Sequence, residues 1–424
     1  MKAAFWIRAL VSLSTLYVPG VSSSAETSCK CLFPKNNYCP YKTSGGFPDD
    51  FKLVNDAKLP DPFLFANGTQ VQNLEDWKCR QQQIKELIFR YELGYLPPKP
   101  DSMTANITAG TIKYGNQTIA AHNLNINATN AGKTISFSAS IRYPASGQGP
   151  FPAVIAYGGS SIPVPSSVAT ISLNNDLIAQ QNTNASRGIG LFYDLYGVNA
   201  PASAMTAWAW AVSRIIDALE TLPEANINTT RLAVTGCSRN GKGALVAGAL
   251  DERIALTIPQ ESGSGGDACW RLSDAEQAAG YVVQTSAEIV RENVWFSLAF
   301  DEFAPHNSSW LPFDHHMLAG LIAPRALLAI ENTAYVWLSP QSSYGCMTAA
   351  HKIWEALGVP QNMGFTQDGN HSHCAFPAEQ QPELTAFFET FLLDGKVDTT
   401  VFKTTNETFN ETAWIDWEVP KLWS

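Results

Sequence analysis

A serine in a glycine-containing turn is the first candidate nucleophile of this chain. The apolar run 232–235 is followed by Gly236, Cys237 and Ser238, and an alanine-rich helical segment begins soon afterwards. In the G-x-S-x-G turn of serine hydrolases, small residues on either side of the serine let the chain pass sharply from strand to helix. Gly236 fills the first of these positions, and Asn240, which tolerates a positive φ, fills the second. The pattern predicts a nucleophile elbow at Ser238; a helix N-cap is the alternative role for this serine.

A catalytic serine also needs a base and an acid. Its hydroxyl is a weak nucleophile until an imidazole removes the proton, and a carboxylate must orient that imidazole. Glu261 opens a glycine-rich loop after one predicted strand, and His371 and His373 follow the last predicted strand. The order serine, acid, histidine is that of α/β-hydrolases. We therefore predict Ser238, Glu261 and His373 as a catalytic triad.

Two of these three assignments have a competitor. A disulfide between the cysteine directly before Ser238 and the cysteine directly after His373 would tie the two loops together, which favours His373 over His371. Glu331 follows the next strand, at the usual position of the acid in this fold. The glycine-rich loop favours Glu261, but the residues alone leave both acids open.

Two basic residues accompany the predicted nucleophile. The backbone N–H of Arg239 is expected to point into an oxyanion hole, and its side chain would add positive charge there. Lys242 lies one helical turn beyond Ser238, on the same helix face. A cation at this place suits a substrate that is rich in hydroxyls or carries a negative group. Ordinary solvent-facing side chains are the alternative for both residues.

Alternating strands and helices must position these residues. The predicted strands are 118–127, 134–143, 151–156, 191–196, 232–235, 254–259, 326–330 and 363–366, and the predicted helices are 76–95, 204–222, 244–250, one near 274–284, 342–357 and 382–393. This alternation predicts an α/β-hydrolase fold, a three-layer sandwich with a mostly parallel central sheet. Active sites of such sheets form at the carboxyl ends of the strands. We predict one catalytic domain over residues 61–424, preceded by an irregular arm over 25–60.

The chain's first residues and its charge predict the compartment. Lys2 and Arg8 precede a short apolar stretch, 9–18, and small residues follow it. This is the pattern of a secretory signal peptide over residues 1–24. No later apolar run is long enough to span a bilayer. A net charge of −10 argues against nucleic acid as a partner. We predict a secreted, extracellular monomer that binds neither nucleic acid nor membranes.

Cysteines and sequons agree with export. The eight cysteines are an even number, as expected for disulfides in an oxidising compartment. Asn-x-Ser/Thr sequons predict glycosylation at several surface positions; they stand at Asn67, Asn106, Asn116, Asn127, Asn184, Asn228, Asn307, Asn370, Asn406 and Asn410. The adjacent His315 and His316 have no third ligand nearby in the sequence. We predict that they are structural and that the protein uses no metal and no cofactor.

With these residues assembled, the chain resembles the fungal glucuronoyl esterases of carbohydrate esterase family 15 from Leu59 onward. The resemblance rests on WAVSRIID at 210–217, GCSRNGK at 236–242, QESGSGG at 260–266 and HSHC at 371–374. It implies a secreted serine esterase that cleaves the ester between 4-O-methyl-D-glucuronic acid of glucuronoxylan and alcohols of lignin, so the expected partners are glucuronoxylan and lignin–carbohydrate complexes. A feruloyl or acetyl-xylan esterase on the same fold is the alternative, and a non-catalytic carbohydrate-binding protein is a third hypothesis.

The resemblance also implies roles for individual residues. It implies Ser238, Glu261 and His373 as the triad and Arg239 at the oxyanion hole. The residues that it implies around the sugar are Lys242, Gln284, Glu292 and Trp337, and the disulfides are Cys237–Cys374, Cys269–Cys346 and Cys39–Cys79. Cys29 and Cys31 fit no pattern of the family.

Overall fold

The computed structural model describes residues 51–114, 117–305 and 307–423. The predicted signal peptide, the predicted arm up to residue 50, Cys39 and the sequon at Asn116 lie outside the described residues. No helix within the described ranges is both long enough and apolar enough to cross a bilayer.

A mixed sheet of ten strands is the centre of the described fold. The strands are β1 Ser102–Tyr114, β2 Gln117–Asn130, β3 Lys133–Arg142, β4 Phe151–Tyr157, β5 Ala169–Leu173, β6 Ile227–Cys237, β7 Ile254–Gln260, β8 Ala326–Asn332, β9 Met363–Asp368 and β10 Phe402–Lys403. Their order in the sheet is β1-β2-β3-β5-β4-β6-β7-β8-β9-β10. The strands β1, β2, β3 and β5 pair antiparallel, and every pair from β5–β4 to β9–β10 is parallel. The prediction of a mostly parallel sheet is confirmed.

Helices cover both faces of this sheet. They are α1 Leu74–Ile88, α2 Asn175–Ile178, α3 Leu191–Tyr196, α4 Ala204–Thr221, α5 Arg239–Leu250, α6 Trp270–Ala278, α7 Ser286–Glu292, α8 His315–Gly320, α9 Pro340–Ala356, α10 Gln381–Leu392 and α11 Glu411–Trp414. Side chains of a strand alternate between the faces. In β6, Leu232 and Val234 therefore join the large core with α4 and α5, whereas Ala233 joins a smaller core with Phe387 and Leu384 of α10.

One predicted strand is wrong, because Leu191–Tyr196 forms the helix α3. The aromatic residues of this run favour a strand by propensity. However, Phe192 and Leu195 are buried three residues apart, which is the spacing of a helix face. Gly190 and Gly197, with φ of 129° and 101°, flank the helix as its N-cap and C-cap residues.

The single helix predicted near 274–284 is also wrong. Two helices occupy this region, Trp270–Ala278 and Ser286–Glu292, and Gly280 adopts a φ of 96° shortly after the first one ends. A left-handed glycine after a helix is a common way to end it. As a result, Gln284 lies in the connection between α6 and α7. Strands β1 and β5 are further elements that the sequence analysis did not predict.

Candidate active site

Ser238 lies at the sharp turn between β6 and α5. Its φ of 60° and ψ of −126° are unusual for a residue with a side chain, and such strain is concentrated at functional sites. Two glycines allow the turn, because a Cβ on Gly236 would lie 2.4 Å from the carbonyl oxygen of Asn240 and one on Gly241 would lie 2.6 Å from that of Gln260. The second close approach thus falls at Gly241, which explains why asparagine is accommodated at position 240.

Glu261 and His373 form the closest acid–base pair near this turn. Glu261 directly follows β7, is fully buried at 0% exposure and has a φ of 45°. Its Oε2 lies 2.6 Å from Nδ1 of His373, and the backbone N–H of Cys374 donates to both carboxylate oxygens at 3.0 Å. The carboxylate is therefore held in place by the same loop that carries the imidazole.

The two competing residues have other contacts. His371 Nδ1 lies 3.8 Å from Glu261 Oε1, beyond hydrogen-bonding distance, and faces the side-chain amide of Asn332 at 3.2 Å. Glu331 Oε1 accepts the backbone N–H of Ser262 at 2.5 Å. Among the described residues, Glu331 forms no hydrogen bond with either histidine. The geometry therefore favours Glu261 and His373 over Glu331 and His371.

A disulfide joins the Ser238 turn to the loop that carries His373. Cys237 and Cys374 are bonded with a Cα–Cα distance of 5.7 Å, so the residues adjacent to them, Ser238 and His373, lie on loops held side by side. Within the described residues, the Ser238 hydroxyl makes no hydrogen bond to His373. Hydrogen bonds between catalytic groups often tighten only when substrate is bound.

Of the other two disulfides that the resemblance implies, only one lies wholly within the described residues. Cys269 and Cys346 form a disulfide that links the residue before α6 to α9. Cys79 is disulfide-bonded, but Cys39 lies outside the described residues, so their pairing stays a prediction.

The two basic residues differ strongly in environment. Arg239 is exposed at the first position of α5 and makes no hydrogen bond or ion pair with the described part of the chain. Lys242 is 2% exposed, so the alternative of a surface lysine is wrong. Its Nζ donates to the carbonyl oxygen of Ser262 and lies 5.4 Å from the ring centre of Trp295. Burial lowers the pKa of Lys242 to about 8, and the negative charges of Glu331 and Asp267 oppose that shift.

The remaining residues of the expected sugar site are connected to His373. The ring of Trp337, 39% exposed, packs edge-on against the imidazole with 5.1 Å between ring centres. The backbone N–H of Gln284 donates to the carbonyl oxygen of Trp337 at 3.0 Å. The side-chain amide of Gln284 in turn donates to Glu292 at 3.1 Å. An aromatic surface therefore lies beside the imidazole, and hydrogen bonds connect Trp337 to Gln284 and Gln284 to Glu292.

Sequence reasoning missed two residues that position the histidine loop. The hydroxyl of Tyr335 accepts the backbone N–H of His373 at 3.0 Å, and the two rings are 5.6 Å apart. The side chain of Asn332 donates to Glu261 Oε2 at 3.4 Å and to the carbonyl oxygen of His371 at 3.2 Å. Their position at or just after the carboxyl end of β8 is the signal that could have identified them.

Two groups of potential metal ligands have other partners. The ligand atoms of Cys237, His373 and Cys374 lie within 4.8 Å of one another, but the two sulfur atoms are bonded to each other and are not thiolates. His315 uses both ring nitrogens, at 2.7 Å from Glu92 Oε1 and 2.5 Å from the carbonyl oxygen of Gly266. Burial disfavours charge on His315, but Glu92, Asp314 and the carbonyl oxygen of Gly266 together raise the pKa of this imidazole. The contacts of His315 are those of a structural residue.

Known proteins resemble this chain over nearly its whole length. A model of the family described as "Glucuronyl esterase, fungi" matches residues 126–358. A 4-O-methyl-glucuronoyl methylesterase of Phanerochaete carnosa is 52% identical over 421 residues, covering 97% of each chain. The 4-O-methyl-glucuronoyl methylesterase 1 of Wolfiporia cocos is 56% identical over 385 residues, which cover 88% of this chain and 92% of that protein.

Solved structures agree with these sequence matches. The glucuronoyl esterase catalytic domain of Hypocrea jecorina superimposes with a TM-score of 0.83 at 52% identity, covering 89% of this chain and 100% of that one. A mutant of the Sporotrichum thermophile glucuronoyl esterase, in complex with methyl 4-O-methyl-β-D-glucopyranuronate, gives a TM-score of 0.82 at 47% identity over 89% of this chain and 99% of that one. The chain therefore belongs to the fungal glucuronoyl esterase family, whose members are carboxylic ester hydrolases with an α/β-hydrolase fold.

Proposed function

We propose that this protein is a secreted serine esterase that cleaves the ester between 4-O-methyl-D-glucuronic acid of glucuronoxylan and alcohols of lignin. The observation that carries the proposal is the 2.6 Å contact between Glu261 and His373 on a loop that a disulfide ties to the Ser238 turn. This arrangement supports nucleophilic catalysis by serine. The names of the relatives support the uronoyl group as the acyl part of the substrate.

The first half of the proposed reaction forms an acyl-enzyme. His373 Nε2 removes the proton from the Ser238 hydroxyl, and the oxygen attacks the uronoyl carbonyl carbon. Glu261 accepts the Nδ1–H of His373 and stabilises the imidazolium that forms. The backbone N–H of Arg239, at the N-terminus of α5, and its exposed guanidinium stabilise the oxyanion. His373 then protonates the leaving alcohol as the bond between the carbonyl carbon and the alcohol oxygen breaks.

The second half releases the acid. His373 removes a proton from a water molecule, the water oxygen attacks the acyl carbon, and Ser238 leaves with that proton. In this proposal Gln284, Glu292 and Trp337 bind the sugar beside His373. Lys242 is buried, so its contact with the sugar requires the uronate to reach below the protein surface.

Uronate selectivity tests the proposal. We expect kcat/KM on the methyl ester of 4-O-methyl-glucuronic acid to exceed that on methyl ferulate and on acetylated xylan by at least about 100-fold, because a site built to bind the hydroxyls of a uronoyl group rejects acyl groups that lack them. Initial rates on the three substrates, measured with the secreted protein, give this ratio. A higher rate on ferulate or acetyl esters would support the alternative esterases. Absence of turnover on all three would support a non-catalytic carbohydrate-binding protein.

The disulfide between the two catalytic loops should matter for both stability and rate. Replacing Cys237 and Cys374 by alanine opens a link across 137 residues, and the chain-entropy model gives a loss of about 4–5 kcal/mol in the free energy of unfolding. We also expect kcat to fall by about 10- to 100-fold, because small misplacements of catalytic groups are costly. Urea unfolding and initial rates measure the two effects.

The second disulfide provides the matched control. Replacing Cys269 and Cys346 by alanine opens a link across 77 residues, which by the same model costs a similar free energy. This variant should lose stability but keep kcat while it is folded. An equal loss of kcat in both variants would contradict a specific role of the Cys237–Cys374 bond in positioning the histidine.

A further inference from the structure

A pair of buried carboxylic acids lies behind the loop that carries Glu261. Asp267 and Glu331 are both 0% exposed, and the proposed reaction uses neither. We propose that Asp267 and Glu331 share one proton across a hydrogen bond, and that the single negative charge of the pair is the counter-charge of the buried Lys242. The pair is thus a positioning device, which keeps Lys242 charged and holds the loop 261–267 in place.

The hydrogen bonds of the two acids lead to a shared proton. Glu331 Oε1 accepts the backbone N–H of Ser262 at 2.5 Å and that of Gly263 at 3.3 Å, and Asp267 Oδ1 accepts the hydroxyl of Ser343 at 2.9 Å. Neither Glu331 Oε2 nor Asp267 Oδ2 is reached by an N–H or O–H group of the described residues. Both acids also contact Ser262, whose hydroxyl accepts the backbone N–H of Asp267 at 3.0 Å and lies 3.4 Å from Glu331 Oε1. Two ionised carboxylates have only acceptors, and a single shared proton gives these two buried oxygens a donor.

The surroundings favour a proton on this pair of acids. Burial, followed by the neighbouring charge of Asp267, raises the pKa of Glu331 well above its usual range. Burial also raises the pKa of Asp267, but hydrogen bonds from Ser343 and Ser262 and the charge of Lys242 oppose that rise. The pair therefore holds one proton and one negative charge, since like charges in one site cannot both ionise.

The charges around the pair explain why one negative charge is needed. Lys242 Nζ donates to the carbonyl oxygen of Ser262, and the N–H of the same residue donates to Glu331. The other titratable groups at this loop are Glu261, His373 and His371, and Glu261 is already paired with His373. A buried ammonium without a counter-charge is strongly destabilised. The single negative charge of the pair offsets part of that penalty for Lys242.

Amide variants reproduce the shared proton in a fixed form. In Glu331→Gln the amide oxygen can accept from Ser262 and the amide N–H can donate to Asp267, so one donor and one negative charge remain. Asp267→Asn likewise leaves one donor and one carboxylate. Only the double variant D267N/E331Q removes the charge and leaves Lys242 without its counter-charge. A shared proton therefore predicts two mild single variants and one severe double variant.

The activity test rests on the proposed function. On methyl 4-O-methyl-glucuronate we expect each single variant to change kcat/KM by less than about threefold and the double variant to lose more than about tenfold, mainly through KM. The alkaline limb of the kcat/KM profile of the double variant should move to lower pH, because its Lys242 loses the proton more easily. Single variants that lose as much as the double variant would overturn the proposal, as would an unshifted alkaline limb.

A stability test does not depend on activity. Because the pKa of Glu331 is raised in the folded state, the folded protein holds a proton that the unfolded chain releases above about pH 4.5. We therefore expect the ratio of the unfolding equilibrium constant of the wild type to that of Glu331→Gln to rise with pH. Above about pH 4.5 the rise should be up to about tenfold per pH unit. Urea unfolding between pH 4 and 8 measures this ratio. A ratio independent of pH would overturn the shared proton.

The control and the possible results separate this proposal from the proposed function. Glu224→Gln changes an exposed acid that forms no hydrogen bond or ion pair with described residues, and its ratio to wild type should not vary with pH in this way. If uronate esters are not hydrolysed but the pH dependence is seen, the proposed function fails and the acid pair stands. If the esters are hydrolysed and the pH dependence is absent, the acid pair fails alone.

Discussion

Replacing Ser238 by alanine is expected to lower kcat on methyl 4-O-methyl-glucuronate by about 10⁶-fold, because the variant keeps the surrounding residues but loses the nucleophile. The proposed reaction has no other route to a covalent intermediate. The smaller side chain fits the turn, and the backbone of residue 238 keeps its hydrogen bond to Gln260. Initial rates at high enzyme concentration, with circular dichroism to verify folding, measure the loss.

A matched serine controls for general effects. Ser372 is exposed on the histidine loop, and its hydroxyl has no hydrogen bond within the described residues, so Ser372→Ala should keep kcat within about twofold. In the wild type, mass spectrometry during turnover should detect a uronoyl group on the peptide that contains Ser238. Turnover of Ser238→Ala above about 1% of wild type would contradict the proposed mechanism.

Replacing Glu261 by glutamine is expected to lower kcat by about 10³- to 10⁴-fold, because an amide cannot stabilise the imidazolium or hold the required tautomer of His373. The 2.6 Å contact and the two bonds from the N–H of Cys374 place this carboxylate on the imidazole. The KM should change much less than kcat, since Glu261 is buried behind the histidine. Saturation kinetics over a range of substrate concentrations separate the two parameters.

Glu331→Gln is the comparison that decides between the two candidate acids. Glu331 bonds to the backbone of Ser262 and Gly263, so its amide variant should keep kcat within about threefold. The reverse result, a severe loss in Glu331→Gln and a mild one in Glu261→Gln, would assign the acid to the end of β8. Similar losses in both variants would show that the two acids act as one unit.

Local sequence was sufficient for the turn at Ser238 and for most of the helices and strands around it. The turn depends on only a few neighbouring residues: a glycine two positions before the serine, an apolar run before it and a helical segment after it. Gly236 is required because a Cβ at this position would meet the backbone of Asn240. The strand ends that carry Glu261 and His373 follow from apolar periodicity in the same way. Errors appeared where propensity and burial disagree, as in the aromatic helix Leu191–Tyr196.

The choice between chemically equivalent residues needed the tertiary structure. Glu261 and Glu331 both end a strand, and His371 and His373 share one loop, so residue type and order alone do not separate them. The distances of 2.6 Å and 3.8 Å from the two imidazoles to Glu261 depend on how two distant loops pack. Burial is decided in the same way: the position of Lys242 in the sequence allows a substrate-facing or a surface cation, and only its packing against Trp295 and the Ser262 loop shows that it is buried. Spacing along the chain sets which residues can face one another within an element, whereas long-range packing sets which atoms meet.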